Sequence, residues 1–339
     1  MNNGSKIERI LLGHGSGGVL MHELIKKTIA SVLDLKQERY DDSAIVDLKG
    51  KRIAFTTDSY VVEPLFFPGG NIGDLAINGT INDLAVMGAR PLYISLGFIF
   101  EEGFEIEKLN EILLSVKKAS EISGVKIVTG DTKVVNKGKA DGIFINTSGI
   151  GIIEHGIDIS GSNAKAGDKI IISGSIGNHG IAVIAERNGI RLDPPIKSDT
   201  APLNLLTIDM LKATKDIHAM RDPTRGGIAT TLKEIATASN VCIEIYEERI
   251  PIEDGVRAAC ELLGFEPLHV ANEGILVAFV PEGDAEKVLD VMRKNHFGKK
   301  AEIIGEVKED PKGKVLLRTS IGGTRIIDML SGEQLPRIC

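Results

Sequence analysis

Between Ile7 and about His155, strand-like and helix-like patterns follow one another without strict alternation, and this order limits the fold more than any single motif. A glycine loop at 13–18 leads into a helix-like stretch at 20–33, and two strand-like runs at 44–48 and 52–57 flank Lys49-Gly50, a hairpin signal. A helix is expected over 72–87, a strand over 91–100 and strands over 125–129 and 143–153. A second helix over 106–122 would place Leu109, Ile112, Leu113 and Val116 on one apolar face. Helices are too few to separate every pair of strands, so a doubly wound parallel sheet is not the natural reading. The segment 158–168, with two glycines, two serines and Asn163, reads as a boundary. Strands near 169–173, 242–246, 275–280, 301–308 and 314–318 then combine with helices near 179–188, 203–214, 227–239, 255–263 and 284–295 into a second α+β unit. The expected organisation is one domain over 1–157, another over 158–325, and a mobile tail over 326–339, of which Ser331 to Cys339 is polar and proline-containing with nothing to bury.

Length and charge are compatible with that division. The 339 residues suffice for two cores, and a formal net charge of -7 argues against a nucleic-acid surface. The start Met1-Asn2-Asn3-Gly4-Ser5 lacks the basic-then-apolar order of a secretory signal, and no apolar run approaches the ~20 residues of a membrane helix. Cys242, Cys260 and Cys339 are odd in number and form no CxxC pair, which points to a reducing cytoplasm rather than a disulfide or zinc framework.

The residues that carry chemistry are mostly acidic. Asp41-Asp42 precedes one strand, Asp58 ends another, Asp83 lies within the helix at 72–87, Asp131 ends a third strand, and Asp222 opens a Pro-Thr-Arg-Gly-Gly turn. Each could cap a helix or turn; together they could converge on Mg²⁺, which takes oxygen ligands and substrate phosphates. The run Gly13-His14-Gly15-Ser16-Gly17-Gly18 could present backbone N–H groups to an anion, with Gly15 and Gly17 letting the chain approach closely. No Lys-Ser/Thr follows at P-loop spacing, and the hairpin that comes next argues against a Rossmann site. Asp74, Asn78 and Asn82 recur at four-residue spacing on one helix face, either for hydrogen bonding or as a solvated stripe. Lys133 could neutralise a phosphate or be a surface lysine. Arg225 could bind an anion or pair with Asp222, and Glu273 could be a general base or an exposed turn carboxylate. His14 is the one histidine in a candidate site.

These motifs, taken in order, resemble a known family. His14-Gly15-Ser16-Gly17-Gly18, Asp41-Asp42-Ser43-Ala44, Thr57-Asp58-Ser59-Tyr60, Gly79-Thr80-Ile81-Asn82-Asp83, Gly130-Asp131-Thr132-Lys133, Met220-Arg221-Asp222-Pro223-Thr224-Arg225-Gly226-Gly227, Asn272-Glu273-Gly274 and the terminal Pro336-Arg337-Ile338-Cys339 look like the hydrogenase-maturation family HypE. The resemblance spans essentially the whole chain. It implies a relationship to aminoimidazole ribonucleotide synthetase and selenophosphate synthetase, with an N-terminal domain whose strands form a barrel across a homodimer. It also implies ATP held through Mg²⁺ by Asp42, Asp58, Asp83 and Asp131, with Gly15, Gly17, Asn82, Asp222 and Arg225 beside the nucleotide. The implied activity is ATP-dependent dehydration of a carbamoyl group on Cys339 to a thiocyanate, with Lys133 and Glu273 nearest the reaction. A carbamoyltransferase, HypF, would load the thiol, and a HypC–HypD scaffold would accept cyanide for the iron of a [NiFe]-hydrogenase. Selenophosphate synthetases usually carry a reactive Cys or Sec near the glycine loop, whereas no cysteine here precedes Cys242. From Asp328 to Cys339 is eleven steps, at most roughly 36–40 Å extended, so the tail could reach both its own cleft and a partner. Beside the thiol, the terminal carboxylate opposes thiolate formation and Arg337 is expected to offset it.

Overall fold

The computed structural model describes residues 10–15, 18–32, 41–330, 335 and 337–339. A short 3₁₀ turn (Leu12–Gly15) precedes α1 (Val19–Leu24), a π-helical turn (Ile25–Ile29) and α2 (Ala30–Val32), which run on as one helical stretch. The first domain continues with β1 (Ala44–Leu48), β2 (Lys51–Tyr60), a small hairpin of β3 (Phe66–Phe67) and β4 (Gly70–Asn71), α3 (Ile72–Val86), β5 (Ala89–Glu101), α4 (Ile106–Ser123), β6 (Lys126–Val135) and β7 (Ile143–Ile153). Five of its strands form one sheet in the order β1-β2-β7-β5-β6. Only β5 and β6 run parallel; the other neighbours are antiparallel. The hairpin between β1 and β2 turns through Lys49 (φ 51°) and Gly50 (φ 82°), two left-handed residues in a row whose twist matches that of the strands.

The second domain contains β8 (Asp168–Ile172), α5 (Asn178–Arg187), α6 (Asn204–Ala213), β9 (Ala219–Arg221), α7 (Gly227–Ala238), β10 (Cys242–Tyr246), α8 (Asp254–Leu263), β11 (Val277–Pro281), α9 (Glu282–Lys294), β12 (Glu302–Lys308), β13 (Lys314–Arg318) and β14 (Thr324–Ile327). Its mixed sheet runs β14-β13-β10-β12-β8-β11-β9. Two apolar layers cover its faces: Ile170, Ile172 and Phe279 pack with Ile228 and Leu232 of α7, while Ile171 and Ala278 pack with Met210 of α6 and Leu289 of α9. Both domains are therefore α+β. β14 pairs with β13 through Ile326 and Ile327, so regular structure extends two residues into the segment expected to be tail.

Helix α3 binds the domains together. It is apolar nearly all round, which is the pattern of a helix buried on every side. Asn71 and Asp74 close its first turn as a reciprocal capping box. The polar stripe read from sequence is not solvated. Asn78 Nδ2 donates to Thr200 Oγ1 at 3.1 Å, and the fully buried Asn82 is committed to backbone: its Nδ2 donates to Ala201 O (3.0 Å) and Glu273 O (3.2 Å), and its Oδ1 accepts from Leu203 N (2.8 Å). Asn82 is thus a tie between domains, and it is not among the residues that line the cleft between them.

The terminal segment also departs from expectation. Leu335 and Ile338 are 9% and 2% exposed and pack into the same apolar cluster as Ile72, Ile181 and Val270, so the tail does have side chains to bury. Apolar residues spaced three apart in a proline-containing stretch carry no helix or strand periodicity, which is why the sequence hid them.

Replacing Asn82 with Ala leaves three buried backbone groups unpaired, which costs on the order of 2–4 kcal/mol. Thermal unfolding of Asn82→Ala is expected to begin at markedly lower temperature than that of the native chain. An unchanged midpoint would show that water repairs the tie.

Candidate active site between the domains

A cleft of about 410 Å³ opens where the first sheet meets the second domain. Its acidic wall is assembled from three places in the chain: Asp42 just before β1, Asp83 near the end of α3, and Asp222 just after β9. One carboxylate oxygen of each lies within 4.8 Å of the others. Thr56 on β2 lies 2.7 Å from Asp83 Oδ2 and donates to it, and Ser43 Oγ donates to the Asp83 carbonyl at 3.0 Å. Asp58, two residues along β2, lies on the same wall with Tyr60 Oη 3.3 Å from its Oδ2. Gly79 is needed here, because a Cβ at that position would stand 2.3 Å from the Tyr60 hydroxyl.

Crowding and burial make these acids reluctant to ionise. Burial raises Asp42 and Asp83 well above the carboxylate range; for Asp83 the neighbouring Asp58, Asp222 and Asp42 add to it. Burial likewise pushes Asp222 up to about 6, against the pull of Arg221. Arg221 supplies the main countercharge. Its Nε lies 2.8 Å from Asp42 Oδ2 and its Nη2 3.1 Å from Glu234, which in turn meets His22 Nε2 of α1 at 2.8 Å. Three converging oxygen donors, short of positive charge, suit a hard divalent cation such as Mg²⁺. The triad that forms is Asp42, Asp83 and Asp222, with Asp58 beside it.

The same cleft is also lined by Glu273, Arg225 and Cys339. Glu273 is 2% exposed and its Oε1 has no hydrogen-bond partner. Its carboxyl is raised well above the usual range by burial first, then by Asp222, Asp199 and Asp58, while Arg225 opposes the shift. The backbone beneath is fixed from below: Asp199 Oδ2 accepts from Glu273 N (3.2 Å) and Gly274 N (3.1 Å). Gly274 cannot carry a side chain, since a Cβ would lie 1.7 Å from Asp199 O. Arg225 sits in the turn before α7, where Gly226 (φ 77°) and Gly227 (φ 60°) are both left-handed, and its Nη1 donates to Gly15 O at 2.7 Å. Burial pushes the Cys339 thiol up to about 12; Arg225 opposes this and Glu273 reinforces it. Arg225, and not Arg337, is therefore the cation beside the thiol. Arg337 points its guanidinium at Val61 O, Glu63 and Asp141.

Other expected site residues stand elsewhere. Asp131 and Lys133 pair with each other at 2.7 Å on the exposed edge strand β6 and do not line the cleft of their own chain. Gly17 lies outside the described residues. Buried His14 accepts from Leu11 N at 2.9 Å and so closes its own turn. A second cavity, about 650 Å³, adjoins the acidic wall and shares Met21, Ile25, Asp41, Arg221 and Glu234 with it. Arg221, Glu234, Thr56 and Asp199 were not singled out in sequence. Arg221 adjoins Asp222 in the Met-Arg-Asp-Pro-Thr-Arg motif, the one signal that could have marked it.

Residues 40–153 match the N-terminal domain of AIR synthase related proteins, and residues 165–318 match the C-terminal domain. A carbamoyl dehydratase HypE from Bradyrhizobium diazoefficiens is 50% identical over 97% of this chain and 95% of its own length. The chain also superposes on the structure of a HypE–HypF complex (TM-score 0.86, 47% identity, 91% of this chain and 99% of that one). A hydrogenase maturation protein HypE solved in complex with ATP aligns with a TM-score of 0.83 at 45% identity, over 98% of this chain and all of that one. With both domain models matched and relatives this similar along nearly the whole length, the chain belongs to the carbamoyl dehydratase HypE family.

Proposed function

We propose that the chain dehydrates a carbamoyl group carried on its own Cys339, using ATP, and so supplies cyanide for the iron of a [NiFe]-hydrogenase. The observation that carries this reading is the placement of the terminal thiol in the same cleft as the acidic triad and Glu273. Asp42, Asp83 and Asp222 would hold Mg²⁺, with Asp58 adjacent. Bound there, the ion would neutralise phosphate charge that the acidic wall would otherwise repel.

A carboxamide keeps its oxygen because hydroxide leaves poorly. With the carbamoyl group on the sulfur, its oxygen attacks the γ-phosphorus of ATP, ADP leaves, and a nitrogen proton is lost. The second step breaks the carbon–oxygen bond. Phosphate departs with the electron pair, the remaining nitrogen proton is removed, and Cys339–S–C≡N is left. Glu273 is the base: its environment raises its proton affinity, so once ionised it binds a proton strongly. Arg225 faces the negative charge that develops beside the sulfur. Burial in the cleft raises the Cys339 thiol and so opposes the thiolate that loading needs, which favours loading by HypF, and delivery to a HypC–HypD scaffold, with the segment swung out.

Asp131 and Lys133 enter this scheme through a second copy. The face of the first sheet turned away from α3 exposes Val46, Phe55, Tyr93, Ile99 and Ile150, and edge strand β6 is exposed along nearly its whole length. An apolar sheet face with an open edge suits pairing with another such sheet, which would close a barrel across a homodimer and bring Lys133 to the partner's cleft.

Three outcomes follow. Intact-mass analysis after incubation with HypF, carbamoyl phosphate and ATP should show a carbamoyl adduct on Cys339 that loses one water with MgATP. An adduct that persists with MgATP, or that forms on Cys339→Ala, sinks the mechanism. Mixing Cys339→Ala with Lys133→Ala chains should restore about a quarter of native turnover, since half the dimers pair the two and each has one complete site; no recovery would place Lys133 in cis. The third concerns Mg²⁺. A carboxyl raised to about 6 in the folded state favours folding fully below its unfolded value of roughly 3.9, and that stability is lost as pH rises through 6. Without Mg²⁺ the chain should therefore lose stability over this window relative to Asp222→Asn. Mg²⁺ should raise the melting temperature more at pH 8 than at pH 5, and equal shifts would rule the triad out as its site.

A further inference from the structure

The last residues are held by contacts that the dehydration chemistry does not require. Val61 N–H donates to Cys339 O at 3.0 Å and Glu63 N–H to Arg337 O at 3.4 Å, a short antiparallel pairing just beyond the end of β2. Arg187 on α5 adds Nη2 to Arg337 O and Nε to Glu63 O, both at 2.7 Å. Arg337 itself adopts a left-handed backbone (φ 49°), which a residue with a side chain takes up only when its surroundings hold it there. Between Arg337 and Cys339, the buried Ile338 places its carbonyl oxygen 2.8 Å from Nε2 of His179, a fully buried residue of α5.

Proton accounting settles which way that bond runs. A carbonyl only accepts, so Nε2 carries the hydrogen. Burial pushes His179 down to about 4, so the ring is neutral near pH 7 and Nδ1 must accept. Ser198 Oγ, 2.8 Å away, donates to Nδ1 and in turn accepts from Thr200 N at 3.1 Å. The Phe67 ring meets the imidazole edge-on, with centroids 5.4 Å apart. Every polar atom in this relay has one role, and the relay ends on the tail.

We propose that His179 is the positioning residue that keeps the terminal segment in the cleft, through its hydrogen bond to the Ile338 carbonyl. It thereby sets how long Cys339 stays beside Glu273 and Arg225. The ion pairs of Arg337 are weaker candidates for this role. Arg337 pairs with carboxylates that are more than half exposed, where water and salt compete. The His179 bond is buried, so removing the imidazole strands a carbonyl away from water, which costs more than losing a surface contact. The meaning given to docking rests on Cys339 being the carbamoyl carrier, but docking itself can be read without any carbamoyl group.

The test is alkylation of the native, unloaded full-length chain by iodoacetamide, followed peptide by peptide with mass spectrometry. Cys242 and Cys260 are buried and serve as internal reports of a folded core. His179→Ala should raise the alkylation rate of Cys339 about tenfold, the scale of one buried hydrogen bond and its cavity. His179→Gln, whose amide can still donate, should stay close to the native rate. An Ala variant no faster than native, or a Gln variant as fast as Ala, overturns the proposal. Should His179→Ala also expose Cys242 and Cys260, Ser198→Ala decides instead: it removes the donor to Nδ1 and should speed Cys339 alone, and an unchanged rate there rejects the relay. With carbamoyl adduct loaded beforehand, single-turnover dehydration should slow in the same order, Ala below Gln and native. If alkylation follows that order while the native adduct never loses water, docking by His179 stands and the dehydratase reading falls.

Discussion

Much of this molecule follows from burying helix α3 on all sides. A helix in that position must pair every polar side chain it carries, because an orphaned group away from water costs as much as a good contact provides. Asn82 meets that demand in full by reaching across to Ala201, Leu203 and the Glu273 carbonyl in the second domain, and Asn78 meets it in part: its Nδ2 donates to Thr200 while its buried Oδ1 has no partner. Thr80 meets it through Thr147 and Tyr60 in the first sheet. What brings Glu273 into the same cleft as Asp83 is therefore the hydrogen bonding of Asn82, the adjacent residue of the same helix, with Asn78, five positions from Asp83, tying down the 200 segment. The site is a by-product of how the domain interface closes.

The cleft formed in this way has a lopsided charge. Asp42, Asp58, Asp83, Asp222 and Glu273 share it with Arg221 and Arg225. Burial and mutual repulsion raise the proton affinity of the carboxyls, and a divalent cation bound among them would relieve that repulsion. Glu273 is subject to the same forces, lines the same cleft and has an unpartnered oxygen. On the proposed reading, one electrostatic condition would serve both metal binding by the aspartates and proton removal by Glu273.

The terminal segment brings its thiol into the cleft, and its described residues form no element of regular structure. Leu335 and Ile338 give it apolar anchors, the 61–63 backbone gives it a strand to pair with, and His179 takes up its last buried carbonyl. A segment held by a handful of contacts can be released at modest cost, whereas a strand in either sheet could not. That is the physical difference between a carrier and a fixed active-site residue.

The amino-acid order alone determined the α+β class, the hairpin through Lys49-Gly50, most helices and strands, and the acids from which the site is drawn. Those features are local: period, turn chemistry and residue type are written within a few positions of one another. It missed β9 and β14, which have three and four residues and no room for a period. Sequence could not separate Asp222, which joins the triad, from Asp131, which lies within an exposed edge strand, because residue type and local pattern do not say which distant carboxylates meet. Nor could it show that Asn82 braces the interface, that Arg225 rather than Arg337 faces the thiol, or that His179 meets a residue 159 positions away. Only the tertiary structure decides such matters, since they depend on which distant groups are taken out of water together.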